Sequence, residues 1–126
     1  MPCPLCEKIN TGPYVAENDL GVAIADAYPV SPGHTLILPR RHESNFFDLS
    51  VDEQIAVWHL LAAVRAQRQR ERHPSGYNIG INVGAAAGQT IPHAHVHVIP
   101  RYDGDVPDPR GGIRWVIPSK AAYWES

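Results

Sequence analysis

Residues 88–101, Gly-Gln-Thr-Ile-Pro-His-Ala-His-Val-His-Val-Ile-Pro-Arg, decide how this chain is read. His93, His95 and His97 alternate with Ala94, Val96 and Val98. Successive side chains of a strand point to opposite faces. The pattern therefore predicts a strand with all three imidazoles on one face and small apolar residues on the other. Pro92 and Pro100 bracket the run, as prolines do at strand ends. Three histidines on one face admit three readings. One is an imidazole-lined surface without chemistry. Another is a metal site, since neutral imidazole is a common ligand and alternate strand residues lie only about 6.6 Å apart. The third is nucleophilic catalysis, with one ring attacking and its neighbours orienting it or binding charge. The flanking residues, Gln89 and the loop Gly84-Ala-Ala-Ala-Gly88, favour the third.

A chain of 126 residues suits one domain, residues 1–126, with a modest core. An apolar fraction of 44% with 19% charged residues is that of a globular protein. A net charge of −2 gives no reason to expect a nucleic-acid or membrane partner. No apolar run approaches a membrane span, and the N-terminus lacks the long apolar segment of a secretory signal. A cytoplasmic location is expected. Cys3 and Cys6 are too close for an ordinary loop-closing disulfide, and in a reducing compartment C-x-x-C more often means metal or redox chemistry.

Working outward, Tyr14–Glu17 and Val22–Ala27 read as a hairpin around Asn18-Asp19. Residues 1–12 show little regular pattern. A rigid Pro29-Val-Ser-Pro-Gly33 loop delivers His34, and Thr35–Leu38 follows as a strand. Ser50-Val-Asp-Glu53 is a capping box, so a helix is expected from Val51 to about Glu71, with Val57, Leu60, Leu61 and Val64 at helical spacing. Arg65, Arg68, Arg70 and Arg72 near its end could bind phosphate, but a solvated face complementing the negative helix end is the stronger reading. His59 and His73 carry no motif and are expected to be structural or exposed. Gly76–Val83 and Ile113–Ile117 read as further strands, with an irregular stretch between Arg101 and Gly112. Strands plus one long helix, without βαβ alternation, predict an α+β fold with an antiparallel sheet.

The segment His93-Ala-His-Val-His-Val-Ile99 resembles the signature of the histidine-triad (HIT) family of nucleotide hydrolases and transferases. Pro32-Gly-His-Thr-Leu-Ile-Leu-Pro39 and Gly88-Gln-Thr90 extend the likeness over most of residues 3–101, and the tail, residues 102–126, resembles that of bacterial diadenosine tetraphosphate hydrolase-like members. The resemblance implies a sheet of about five antiparallel strands with one long and one short helix, and a homodimer. It implies that His95 attacks the α-phosphorus of a purine nucleotide and forms a nucleotidyl-histidine that water hydrolyses. His97 and Gln89 would then supply donors to the phosphate oxygens, with Thr90 near the leaving group. His34 would stabilise charge, Asp26 would hold the ribose hydroxyls, and Asn82 would lie near the phosphates. Dinucleoside polyphosphates are the expected substrates. The alternatives are nucleoside phosphoramidates, a nucleotide-binding regulatory protein with little turnover, and a metalloprotein that uses the triad for a metal-bound water.

Cys3 and Cys6 have half the ligand spacing of a zinc site. By the same resemblance, a structural Zn2+ would be completed by His42 and His93, with residues 1–12 forming the zinc-binding segment. The sequence departs from the family at Ala94, where Val is commoner, and in the Gly84–Gly88 loop, which lacks an acidic residue many relatives carry.

Overall fold

The structure, a computed structural model, describes residues 2–125. Five strands form one antiparallel sheet: β1 (Ala16–Glu17), β2 (Gly21–Ala25), β3 (Thr35–Pro39), β4 (Gly76–Ile81) and β5 (Val96–Arg101), in the order β1-β2-β3-β5-β4. Three helices accompany it: α1 (Pro4–Thr11), α2 (Val51–Arg72) and α3 (Pro118–Ala121). Among the described residues, no helix is long and apolar enough to cross a membrane.

The long helix begins where its sequence requires. The Ser50 hydroxyl accepts from the Glu53 amide at 3.1 Å, and the Glu53 carboxylate accepts from the Ser50 amide at 3.0 Å. Arg41 donates to the same carboxylate through Nε and Nη2 at 3.1 and 3.0 Å. Together these hold the Glu53 carboxyl down at about 2, far below its ordinary value. The α2 stripe Ala56, Val57, Leu60 and Val64 recurs at helical spacing and is buried. Val57, Leu60 and Val64 pack on Ala23, Ile37, Val96 and Val98 of the sheet. Full burial of such a side chain contributes roughly 1.5–3 kcal/mol.

Continuing the same stripe, Arg68 is also buried, which corrects the expectation of a wholly solvated arginine face. Its Nε donates to Thr35 Oγ1 at 3.1 Å and its Nη1 to Glu71 at 2.9 Å, so the charge enters the core paired. His73 takes the left-handed conformation that closes the helix, and His59 is exposed.

The opposite sheet face carries Val22, Ile24, Leu36 and Leu38 beneath Leu5 of α1. Residues 1–12 show little regular pattern, yet α1 forms there. Cys3 caps it by accepting from the Cys6 amide, Pro4 enters at its start, and Gly12 ends it with φ +64°. Registers place Ile24 beside Leu36, Leu36 beside His97, and His97 beside Gly80. These residues form one row across this face of the sheet.

Two expected strands differ. The histidine strand begins only at Val96, because the pairing of β5 with β3 and with β4 starts there. Residues 93–95 instead bond to loops, with Ala94 N donating to Glu43 O at 2.7 Å. The three histidines therefore do not share one strand face. Residues 112–116 form a 3-10 helix rather than a strand: Gly111 and Gly112, at φ +93° and +45°, turn the chain so that Arg114 N bonds back to Gly111 O.

Candidate active site and metal centre

The row across the sheet forms the floor of a cavity of about 700 Å³, a volume suited to a small organic ligand. Asp26, Asn82, Thr90, His95 and His97 all line it, with Ile24 and Leu36 beneath and α1 along one wall. His93 is not part of this lining; its ring is fully buried elsewhere.

Hydrogen bonding fixes the proton on each ring. His95 Nδ1 lies 2.8 Å from the His93 carbonyl. A carbonyl only accepts, so Nδ1 carries the hydrogen and the neutral ring leaves Nε2 bare. His34 Nδ1 accepts from the Val30 amide at 3.1 Å, which puts the hydrogen of neutral His34 on Nε2. That Nε2 lies 3.0 Å from His97 Nδ1 and 3.3 Å from Asp26 Oδ2. Since His34 Nε2 is a donor, His97 Nδ1 must accept, and neutral His97 carries its hydrogen on Nε2. The cavity thus meets one bare ring nitrogen and one N–H on neighbouring histidines, whose ring centroids are 5.1 Å apart. Burial pushes the pKa values of both His34 and His97 below the ordinary histidine value, while the Asp26 carboxylate partly opposes it for each. Both are therefore neutral near pH 7.

The loop bearing His34 is held from several sides. Ser31 Oγ donates to Pro100 O at 2.7 Å, Tyr102 OH to Pro32 O at 2.6 Å, and Thr35 Oγ1 to Gly33 O at 2.8 Å. Gly33 sits at φ +91°, and a Cβ there would lie 3.1 Å from the Arg72 side chain, so this turn needs glycine. The Ser31 and Tyr102 braces were not legible in the sequence, because they join residues 69 and 70 positions apart.

The remaining expected residues divide. Asn82 and Thr90 line the cavity. Asp26 does too, although its Oδ1 already accepts from the Tyr28 amide at 2.8 Å. Gln89 does not line it. Its Nε2 donates to the carbonyls of Ser44 and Ile91 at 2.8 and 3.1 Å, and its Oε1 accepts from Gly84 N at 2.9 Å. Gln89 therefore braces the Gly84–Gly88 loop.

A second constellation lies behind the first. Ligand atoms of Cys3, Cys6, His42 and His93 all lie within 4.8 Å of one another and could hold a metal ion. His93 Nδ1 is 3.6 and 3.5 Å from the sulfurs of Cys3 and Cys6, and His42 Nδ1 is 3.3 Å from that of Cys6. Tetrahedral zinc with ordinary bond lengths separates sulfur from nitrogen by about 3.6 Å. The far nitrogen of His93 donates to Pro39 O at 2.9 Å, the outer bond that orients a ligating imidazole and leaves Nδ1 to the metal. The donor set fits a closed Cys2His2 site.

The chain is similar to known proteins in sequence and in fold. The HIT domain model matches residues 8–104. An uncharacterized 16.1 kDa HIT-like protein of Mycoplasma pneumoniae is 41% identical over 90 residues, which span 71% of this chain and 62% of that one. The AP-4-A phosphorylase of Mycobacterium tuberculosis is 38% identical over 96 residues, 75% of this chain but only 49% of the relative. A Zn-bound histidine triad family protein from Mycobacterium smegmatis superposes with a TM-score of 0.68 at 31% identity, covering 92% of this chain and 91% of that one. This chain belongs to the HIT family.

Proposed function

We propose that this chain hydrolyses nucleotides at the α-phosphate through a nucleotidyl group on His95, with dinucleoside polyphosphates as substrates. Membership of the HIT family and similarity to an AP-4-A phosphorylase support a nucleotide-processing enzyme. One observation carries the finer reading: the His93 carbonyl takes the Nδ1 hydrogen of His95 and leaves Nε2 bare toward the cavity, beside the Nε2–H of His97.

In the first step the His95 Nε2 lone pair attacks phosphorus. A P–N bond forms, and the P–O bond to the leaving nucleotide breaks with its electron pair on oxygen. In the second step water attacks phosphorus, the P–N bond breaks, His95 regains its lone pair, and the proton of the attacking water passes to solvent. The His97 Nε2–H donates to a non-bridging oxygen, where charge grows in both steps. His34 holds that hydrogen on the outward nitrogen of His97, and Asn82 and Thr90 add polar contacts to phosphate and leaving group. Gln89 serves through the loop it braces, and Asp26 holds the ribose.

Zinc on Cys3, Cys6, His42 and His93 supplies a cross-link rather than chemistry, since four protein ligands leave no open position. His93 is then occupied with structure and is not the nucleophile. The proposal includes a homodimer, supported by the exposed apolar side chains of Ile113, Trp115, Val116 and Ile117, and a cytoplasmic location.

The test is product analysis after incubation with diadenosine tetraphosphate, alongside a nucleoside phosphoramidate. Mononucleotide released by the wild type but not by His95→Asn supports the reading. Equal release by both proteins contradicts it.

A further inference from the structure

The α1 wall of the cavity was not anticipated, and its chemistry is unusual for a wall. Pro4, Glu7, Lys8 and Thr11 stand at positions i, i+3, i+4 and i+7 and line the cavity together. The Thr11 hydroxyl is spent on the Glu7 carbonyl at 3.0 Å. Glu7 and Lys8 are exposed, and neither side chain has an ion pair or hydrogen bond among the described residues. A carboxylate and an ammonium thus face the same space unpaired. Below them lie Ile24 and Leu36, and at the rim stands Tyr28, 88% exposed, its aromatic ring available for stacking.

The row of residues across the sheet orders this space. Ile24 and Leu36, under α1, lead directly to His97. If phosphate is bound at His95 and His97, as proposed above, and the ribose reaches Asp26, the base falls between the apolar floor, Tyr28 and the polar stripe of α1. An ammonium has only donors, and a carboxylate only acceptors. Guanine offers Lys8 two adjacent acceptors, O6 and N7, the usual pairing of lysine with a base edge. It also offers Glu7 two adjacent donors, N1–H and the N2 amino group, which match both oxygens of a carboxylate. Adenine places its amino donor beside N7, where it opposes the ammonium, and gives the carboxylate one donor group.

We propose that Glu7 and Lys8 read the base and make this a guanine-preferring site, an inference that rests on the proposed nucleotide orientation. The test is calorimetric titration of GMP, AMP and IMP into wild type, Lys8→Met and Glu7→Gln. Both substitutions are at exposed positions, and circular dichroism confirms that each variant is folded. Wild type should bind GMP about tenfold more tightly than AMP, the lower end expected for one good bidentate contact. Each variant should lose most of that preference by weakening GMP, with AMP unchanged to within about twofold. IMP, which lacks the 2-amino group, should bind more weakly than GMP to wild type but not to Glu7→Gln. Equal affinity of wild type for GMP and AMP overturns the base reading and leaves the phosphate site standing. So does an equal loss of both nucleotides in Lys8→Met, which would place the ammonium on phosphate. No binding of any of the three to wild type overturns the orientation itself, and this inference with it.

Discussion

His95 Nδ1 lies 2.8 Å from the carbonyl oxygen of His93, while the His93 ring faces the two cysteines. One residue thus links the two constellations: its side chain belongs to the metal set and its backbone orients the ring beside the cavity. A loss at the cysteines should therefore be felt at His95.

Purified protein should contain one zinc per chain. Cys6→Ser should lower the melting temperature by several degrees, since about 1 kcal/mol moves a domain of this size by roughly 4 °C. It should also lower turnover, although Cys6 does not line the cavity. A metal-free protein with unchanged melting temperature would rule the site out.

Acid should act through His34 and His97. Burial lowers the folded pKa of each, so the unfolded chain binds more protons below the ordinary histidine pKa of about 6.5. The stability they allow is present above that value and is lost as pH falls from there through their folded pKa values. Melting temperature measured from pH 8 down to 5 should fall more steeply in wild type than in His97→Asn. Parallel slopes would show that these rings do not carry the effect.

The α2 cap gives a second, more acidic window. Glu53 is held at about 2 against an ordinary 4.5, so its contribution is present above 4.5 and lost as pH falls toward 2. Ser50→Ala, which removes the reciprocal bond, should cost about 0.5–2 kcal/mol at neutral pH by urea unfolding. No change would mean that the Ser50 hydroxyl does not stabilise the helix start, since the residue-50 amide still donates to Glu53 in the variant.

Much of this was legible beforehand. The capping box at Ser50 and the apolar stripe of α2 are local patterns, and both appear where the sequence puts them. Cys3, Cys6, His42 and His93 come together as a possible metal set, and Asp26, Asn82, Thr90, His95 and His97 line one cavity; their roles there are the proposal. What failed was local pattern without a partner. The alternation at His93 and His95 is perfect, but the pairing of β5 with both neighbouring strands starts only at Val96, so the strand begins there. Ile113–Ile117 has strand composition but follows two glycines of positive φ. The helix at Pro4–Thr11 was signalled by its capping Cys3, Pro4 and Gly12, a pattern too short to stand out. Arg68 looked solvated because its partner Thr35 is 33 residues away.

Nucleotide affinity should depend on Asp26. Asp26→Ala should weaken binding of the mononucleotide by about 1–3 kcal/mol, the range for a hydrogen bond involving a charged group. Titration calorimetry measures this directly, and unchanged affinity would remove Asp26 from the ribose.

The central claim is that His95, and no other ring, bonds to phosphorus. His95→Asn should reduce turnover by several orders of magnitude while affinity stays within about tenfold, roughly 1.4 kcal/mol. His97→Asn should lose rate and some affinity together, because it removes a donor to phosphate. The most direct measurement is to quench wild-type protein during turnover, digest it, and map the nucleotidyl group by mass spectrometry. The account predicts an acid-labile, base-stable adduct on His95. An adduct on His93 or His97, or substantial turnover remaining in His95→Asn, would contradict it.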